Sequence, residues 1–117
     1  MNAADLQKLS LSFAGATETI QWDDDRVFKV AGKMFAVTGM EADSLYCFKV
    51  DDSRFLEMTD LPGIRPAPYL ARAKWVQVDA NLCELPSADL KGLVQRSYDL
   101  VVAKLPKKTQ KSLIDEG

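Results

Sequence analysis

The chain has 117 residues, 47% hydrophobic and 27% charged, with a net charge of −2 and a pI near 5.1. These values fit one globular domain over residues 1–117 and exclude a disordered chain and a strongly basic nucleic-acid binder. The absence of histidine removes Ser-His-Asp and Cys-His catalysis and most zinc sites, so neither an enzyme nor a metal or cofactor is expected.

At the N-terminus no basic segment precedes an apolar run, and no apolar run anywhere approaches the roughly 20 residues of a membrane span. A cytoplasmic protein without membrane contact is expected. Residues 2–13 read as a short helix, with Asn2 as its cap and Leu6, Leu9 and Phe13 on one face. From Thr17 to Val50 the period changes to two, predicting four antiparallel strands at 17–22, 26–30, 33–38 and 44–50. The two-residue link Ala31-Gly32 marks the second and third of these as a hairpin. Asp23, Asp24 and Asp25 suit a turn, where aspartate bonds its own backbone. The cysteines, Cys47 and Cys83, lack metal-ligand spacing and read as reduced, buried thiols.

Asp51 or Asp52 caps a second short helix over 53–59. Residues 60–70 contain Pro62, Gly63, Pro66 and Pro68, which exclude a regular helix or a central strand. They read as an ordered loop carrying Arg65 and Tyr69. A further strand covers 74–80. Ser87 caps the clearest helix, whose stripe runs from Leu90 through Ser97 to Leu105, with Asp89 in its positive first turn. Pro106 breaks it, and residues 107–114 form a final short turn. The order α-ββββ-α-β-α predicts an α+β fold: an antiparallel sheet of about five strands with helices packed on one face and the other face partly open.

Several stretches resemble the MmcQ/YjbR family of small bacterial proteins. They are Phe28-Lys29-Val30, Gly32-Lys33-Met34-Phe35-Ala36, Phe48-Lys49, Pro66-Ala67-Pro68-Tyr69, Lys74-Trp75-Val76, and Ser97-Tyr98 leading to Lys104-Leu105-Pro106. Their order and spacing extend over about residues 3–108. The resemblance implies a CyaY-like (frataxin-like) architecture and DNA binding of a double-wing type.

Side chains alternate across a strand. Alternation sets Lys33, Phe35 and Val37 on the open face, with Leu45, Cys47, Lys49, Trp75, Gln77 and Asp79. It turns Met34, Ala36, Tyr46, Phe48, Val76 and Val78 toward the helices. Trp22, Lys29, Arg65, Tyr69 and Lys74 would flank the open face. Aromatics interleaved with cations suit bases and phosphates. In a DNA-binding module, Lys29, Lys33, Lys49, Arg65 and Lys74 would meet phosphates while Tyr69 and Trp75 stack. No recognition helix is evident, so sequence preference would be weak. The opposing reading packs loop 60–70 over Trp75 and Phe35. A protein-partner adaptor using the open face or its edge, or a small-molecule sensor, are the other classes. Lys104, Lys107, Lys108 and Lys111 form a second cation set or a solvated C-terminal segment. Iron binding would need more acids than the lone Asp5 of the first helix, and a monomer is the expected state. Residues 1–60 carry 11 acids and 6 bases, net −5, while residues 61–117 carry 6 acids and 9 bases, net +3.

Overall fold

The computed structural model describes residues 1–116, and side chains through residue 115. Asn2 caps α1 (Ala3–Leu11): its side chain accepts the Asp5 amide while the Asp5 carboxylate accepts the Asn2 amide, a reciprocal capping box. Three strands follow, β1 (Ala16–Gln21), β2 (Asp25–Val30) and β3 (Lys33–Thr38). Ala31 and Gly32, with φ of +50° and +78°, make the tight turn between β2 and β3 that the sequence predicts. Then come β4 (Tyr46–Lys49), α2 (Phe55–Thr59), β5 (Ile64–Pro66), β6 (Trp75–Val78), α3 (Ser87–Val102) and α4 (Lys107–Glu116).

The strands form one six-stranded sheet in the order β1-β2-β3-β4-β6-β5, antiparallel at every step. The sixth strand, β5, corrects the reading of residues 60–70 as loop. Its prolines are compatible with pairing because an edge strand uses its backbone on one side only. Helices cover one face of the sheet. There Phe28, Tyr46, Phe48, Val76 and Val78 pack with Leu6, Met58, Leu90 and Val94.

One irregularity decides which side chains reach each face. Opposite β3, Phe28 pairs with Ala36 but Lys29 pairs with Met34, so Phe35 is an extra, bulged residue. Phe35 and Ala36 are therefore both fully buried within the helix-side core. The Tyr98 ring meets Phe35 edge-on at 5.4 Å and Phe13 at 4.9 Å. This corrects the alternation read from sequence: Phe35 belongs to the core and Met34 to the open face. Lys33, paired with the core residue Val30, falls on the helix side as well.

Ser97 sits on the buried face of α3 at the bulge. Its hydroxyl donates to the Phe35 carbonyl at 2.7 Å and accepts the Lys49 amide at 2.9 Å. Both are strand backbone groups, so this one side chain ties α3 to β3 and β4. Two helix ends also differ from expectation. Pro86, not Ser87, occupies the N-cap position of α3, and the Ser87 hydroxyl accepts the Met1 amine instead. The helix stops at Val102, before Leu105, and α4 is longer than a single turn, tied back by Gln110 donating to the Leu105 carbonyl at 2.7 Å. Arg96 forks onto Asp51 at 2.8 and 3.0 Å, which holds the Asp51 carboxyl below its ordinary range. No helix among the described residues is long and apolar enough to cross a membrane.

Candidate binding groove on the open sheet face

The open face is half roofed. After β5 the chain folds back onto β6: the Ala67 amide donates to the Trp75 carbonyl at 3.0 Å and the Trp75 amide donates to Leu70 at 3.2 Å. Trp75, opposite Lys49 on the open face, is left only 4% exposed. A groove of about 570 Å³ remains between this roof and the turn joining β1 to β2. Pro68, Tyr69 and Leu70 form one wall, Trp22 and Asp25 the other, and Met34, Val37, Cys47 and Gln77 the floor. Among the described residues, its lining holds one carboxylate, Asp25, and no lysine or arginine.

Two aromatic side chains stand at the rims in an unusual backbone state. Trp22 is 61% exposed with φ +47°, and Tyr69 is fully exposed with φ +65°. Left-handed backbone is uncommon for bulky residues. Cys47 lies half-buried on the floor. Burial pushes its thiol up to about 11; a hydrogen bond with Gln77 opposes the rise, the Asp25 charge adds to it, and Arg65 opposes it. The thiol therefore stays protonated at neutral pH, which makes it a poor nucleophile.

The residues singled out for nucleic-acid contact do not all converge. Lys29, Lys49 and Arg65 lie on the open face with Tyr69, at the positions paired with Met34, Trp75 and Gln77. Two of these cations are held by the protein: Lys49 donates to the Ala73 carbonyl, and Arg65 to Gln77 at 2.6 Å. Lys74 is directed toward α2, its ammonium 5.1 Å from the centre of the Phe55 ring. Lys33 is on the helix side, and Trp75 is too covered to stack on a base, as Phe35 is. Sequence reading placed Trp22 at the margin but missed the groove itself, because Met34 reaches the floor only through the bulge. Lys104, Lys107, Lys108 and Lys111 are exposed and do not line the groove. Among the described residues, no group of three or more His, Cys, Asp or Glu is placed to hold a metal.

An antiparallel sheet with helices on one face and a roofed groove on the other defines a two-layer α+β protein. The chain belongs to the YjbR family, whose model matches residues 11–100. It is similar to the crystal structure of the Deinococcus radiodurans protein DR2400, of domain DUF419, with 29% identity and a TM-score of 0.82 over 94% of this chain and 86% of that one. A structural-genomics target from Pseudomonas syringae shares the fold at 21% identity, with a TM-score of 0.70 over 86% of this chain and 98% of that one. No curated protein matches the chain.

Proposed function

We propose that the chain is a non-enzymatic binding module that takes an apolar or aromatic group of its ligand into the open-face groove. The groove itself carries this reading. At about 570 Å³ it falls in the size range of ligand sites, and it is apolar with a few polar groups, Asp25, Thr38 and Gln77, on its lining. Its rims reinforce the point. Left-handed backbone costs roughly 1–3 kcal/mol per non-glycine residue, and the exposed rings of Trp22 and Tyr69 recover little of that by packing. A group inserted between them would bury both. Because no cation among the described residues lines the groove, the best fit is an apolar side chain of a protein partner.

Nucleic acid is the second reading, favoured by Lys29, Lys49 and Arg65 sharing the open face with the fully exposed Tyr69. An unpaired base would stack on Tyr69 while its phosphates meet those cations. Binding of that kind falls steeply with salt.

The test uses two probes, the amphipathic dye anilinonaphthalene sulfonate, whose aromatic rings report on apolar sites, and labelled oligothymidine, each titrated at low and near-physiological salt. Tyr69→Ala and Trp22→Ala are each expected to weaken dye binding about tenfold, the typical loss for an aromatic anchor. Unchanged dye affinity in both variants would remove the groove as the site. Oligothymidine binding that is salt-sensitive and lost in Tyr69→Ala supports the nucleic-acid reading, and no binding at low salt ends it.

A further inference from the structure

The two edges of the sheet are built differently. β5 is three residues long, ends at Pro66, and lies between Pro62 and Pro68. Short length and proline are the usual means of preventing an edge from pairing further. β1 has neither. Its six residues pair with β2 in unbroken register, with no proline, lysine, arginine or bulge. Its one charge, Glu18, is already neutralised by Arg26 at 2.8 Å and bonded by Gln7 at 2.8 Å. Ile20, on this strand, leaves exposed apolar surface at the edge.

We infer that the free edge of β1 pairs antiparallel with β1 of a second copy, joining two six-stranded sheets into one. The inference is independent of what the groove binds. Self-complementarity of the strand selects the partner and the register. Thr17, Thr19 and Gln21 point to the open face, whereas Ala16, Glu18 and Ile20 point to the helix face, as their β2 partners show. A two-fold axis that preserves both faces must pass through a residue pair, so one residue lies opposite its own copy. Centring on Glu18 sets carboxylate against carboxylate, which is unfavourable. Centring on Ile20 or Thr17 leaves only a short overlap. Centring on Thr19 pairs Thr19 with itself, Glu18 with Ile20, and Thr17 with Gln21. That register uses residues 17–21 with no like charges opposed. Threonine pairs across strands are favourable. A ladder this short is a small interface, so dissociation on the order of 0.1 mM is expected.

Sedimentation velocity over a concentration series reaching the millimolar range tests this. The wild-type chain is expected to show a reversible monomer–dimer equilibrium. Thr19→Lys and Thr19→Glu each oppose like charges across the axis, and each is expected to raise the dissociation constant at least about tenfold. An equimolar mixture of the two variants is expected to dimerise again, because only a self-opposed position sets lysine against glutamate. Matching circular dichroism and melting curves establish that both variants fold. If either does not, a mixture of Thr17→Lys and Gln21→Glu probes the same register. A monomer at every concentration overturns the inference, as does a dimer that both single variants retain. A mixture that stays monomeric overturns it too.

Discussion

Replacing Ser97 by alanine is expected to destabilise the fold by about 2–4 kcal/mol: the buried Phe35 carbonyl loses its partner at about 1–3 kcal/mol, and the part-buried Lys49 amide at about 1 kcal/mol. The β3–β4 ladder ends at the pair Ala36–Phe48, so the Phe35 carbonyl and the Lys49 amide lie just beyond it. The Ser97 hydroxyl serves both, at 2.7 and 2.9 Å. For a domain near this size each kcal/mol lowers Tm by about 4–8 °C. Ser10 supplies an internal control. It is equally buried, on α1, but its hydroxyl has no hydrogen-bond partner among the described residues. Removing an unsatisfied hydroxyl relieves a desolvation cost, so Ser10→Ala is expected to be neutral or stabilising. Urea unfolding of the two variants beside the wild type decides the matter. Equal effects would mean that burial alone, and not the bridging of the bulge, sets the role of Ser97.

Gly63→Ala is expected to be at least as damaging, by about 3 kcal/mol or more once steric displacement is added to left-handed strain of about 1–2 kcal/mol. Gly63 has φ +78°, and a Cβ there would lie 2.5 Å from the Cys83 nitrogen and 2.7 Å from the Leu82 carbonyl carbon. Those are backbone atoms and cannot rotate aside. The Gly63 carbonyl also accepts the Asp79 amide at 2.8 Å, which locks the start of β5 to the end of β6. The variant is therefore expected to loosen β5 and with it Arg65, detectable as faster amide exchange at Ile64 and Asp79. Gly92→Ala is the comparison. A Cβ at Gly92 would meet nothing within 4 Å, and the residue is helical. A gain of about 0.5–1 kcal/mol is expected there. A well-folded Gly63→Ala with unchanged stability would contradict the packing described.

The sequence signals that proved reliable were local ones. Asn2 with the spacing of Leu6 and Leu9 announced α1, Ala31-Gly32 announced the hairpin, and the stripe from Leu90 to Ser97 announced α3. Each depends on backbone chemistry within a few residues. What could not be read depended on contacts between distant segments. A proline-rich stretch signals that a chain cannot be a central strand, but not that it will pair at an edge, so β5 was hidden. A bulge leaves no compositional mark, so strict alternation set Phe35 on the wrong face and left Met34 out of the groove. The same slip removed Lys33 from the cation set. Lys74 was lost to it for a different reason: its left-handed backbone, φ +63°, turns the side chain toward Phe55. Trp75 was legible in strand position and face. The opposing reading, with the proline-rich loop packed over it, agrees with its burial beneath residues 67–74, which bond back to β6. Phe35, which that reading set under the same loop, is instead buried on the helix side.

The binding site we propose is the open-face groove. Amide chemical-shift mapping with anilinonaphthalene sulfonate tests it most directly, because each floor and wall residue reports separately. Saturable shifts are expected at Met34, Val37, Cys47, Tyr69, Leu70 and Gln77, with the exposed side of α3 around Gln95 and Asp99 unmoved. Saturable binding whose shifts fall on α3 or α4, leaving those six residues unchanged, would contradict it.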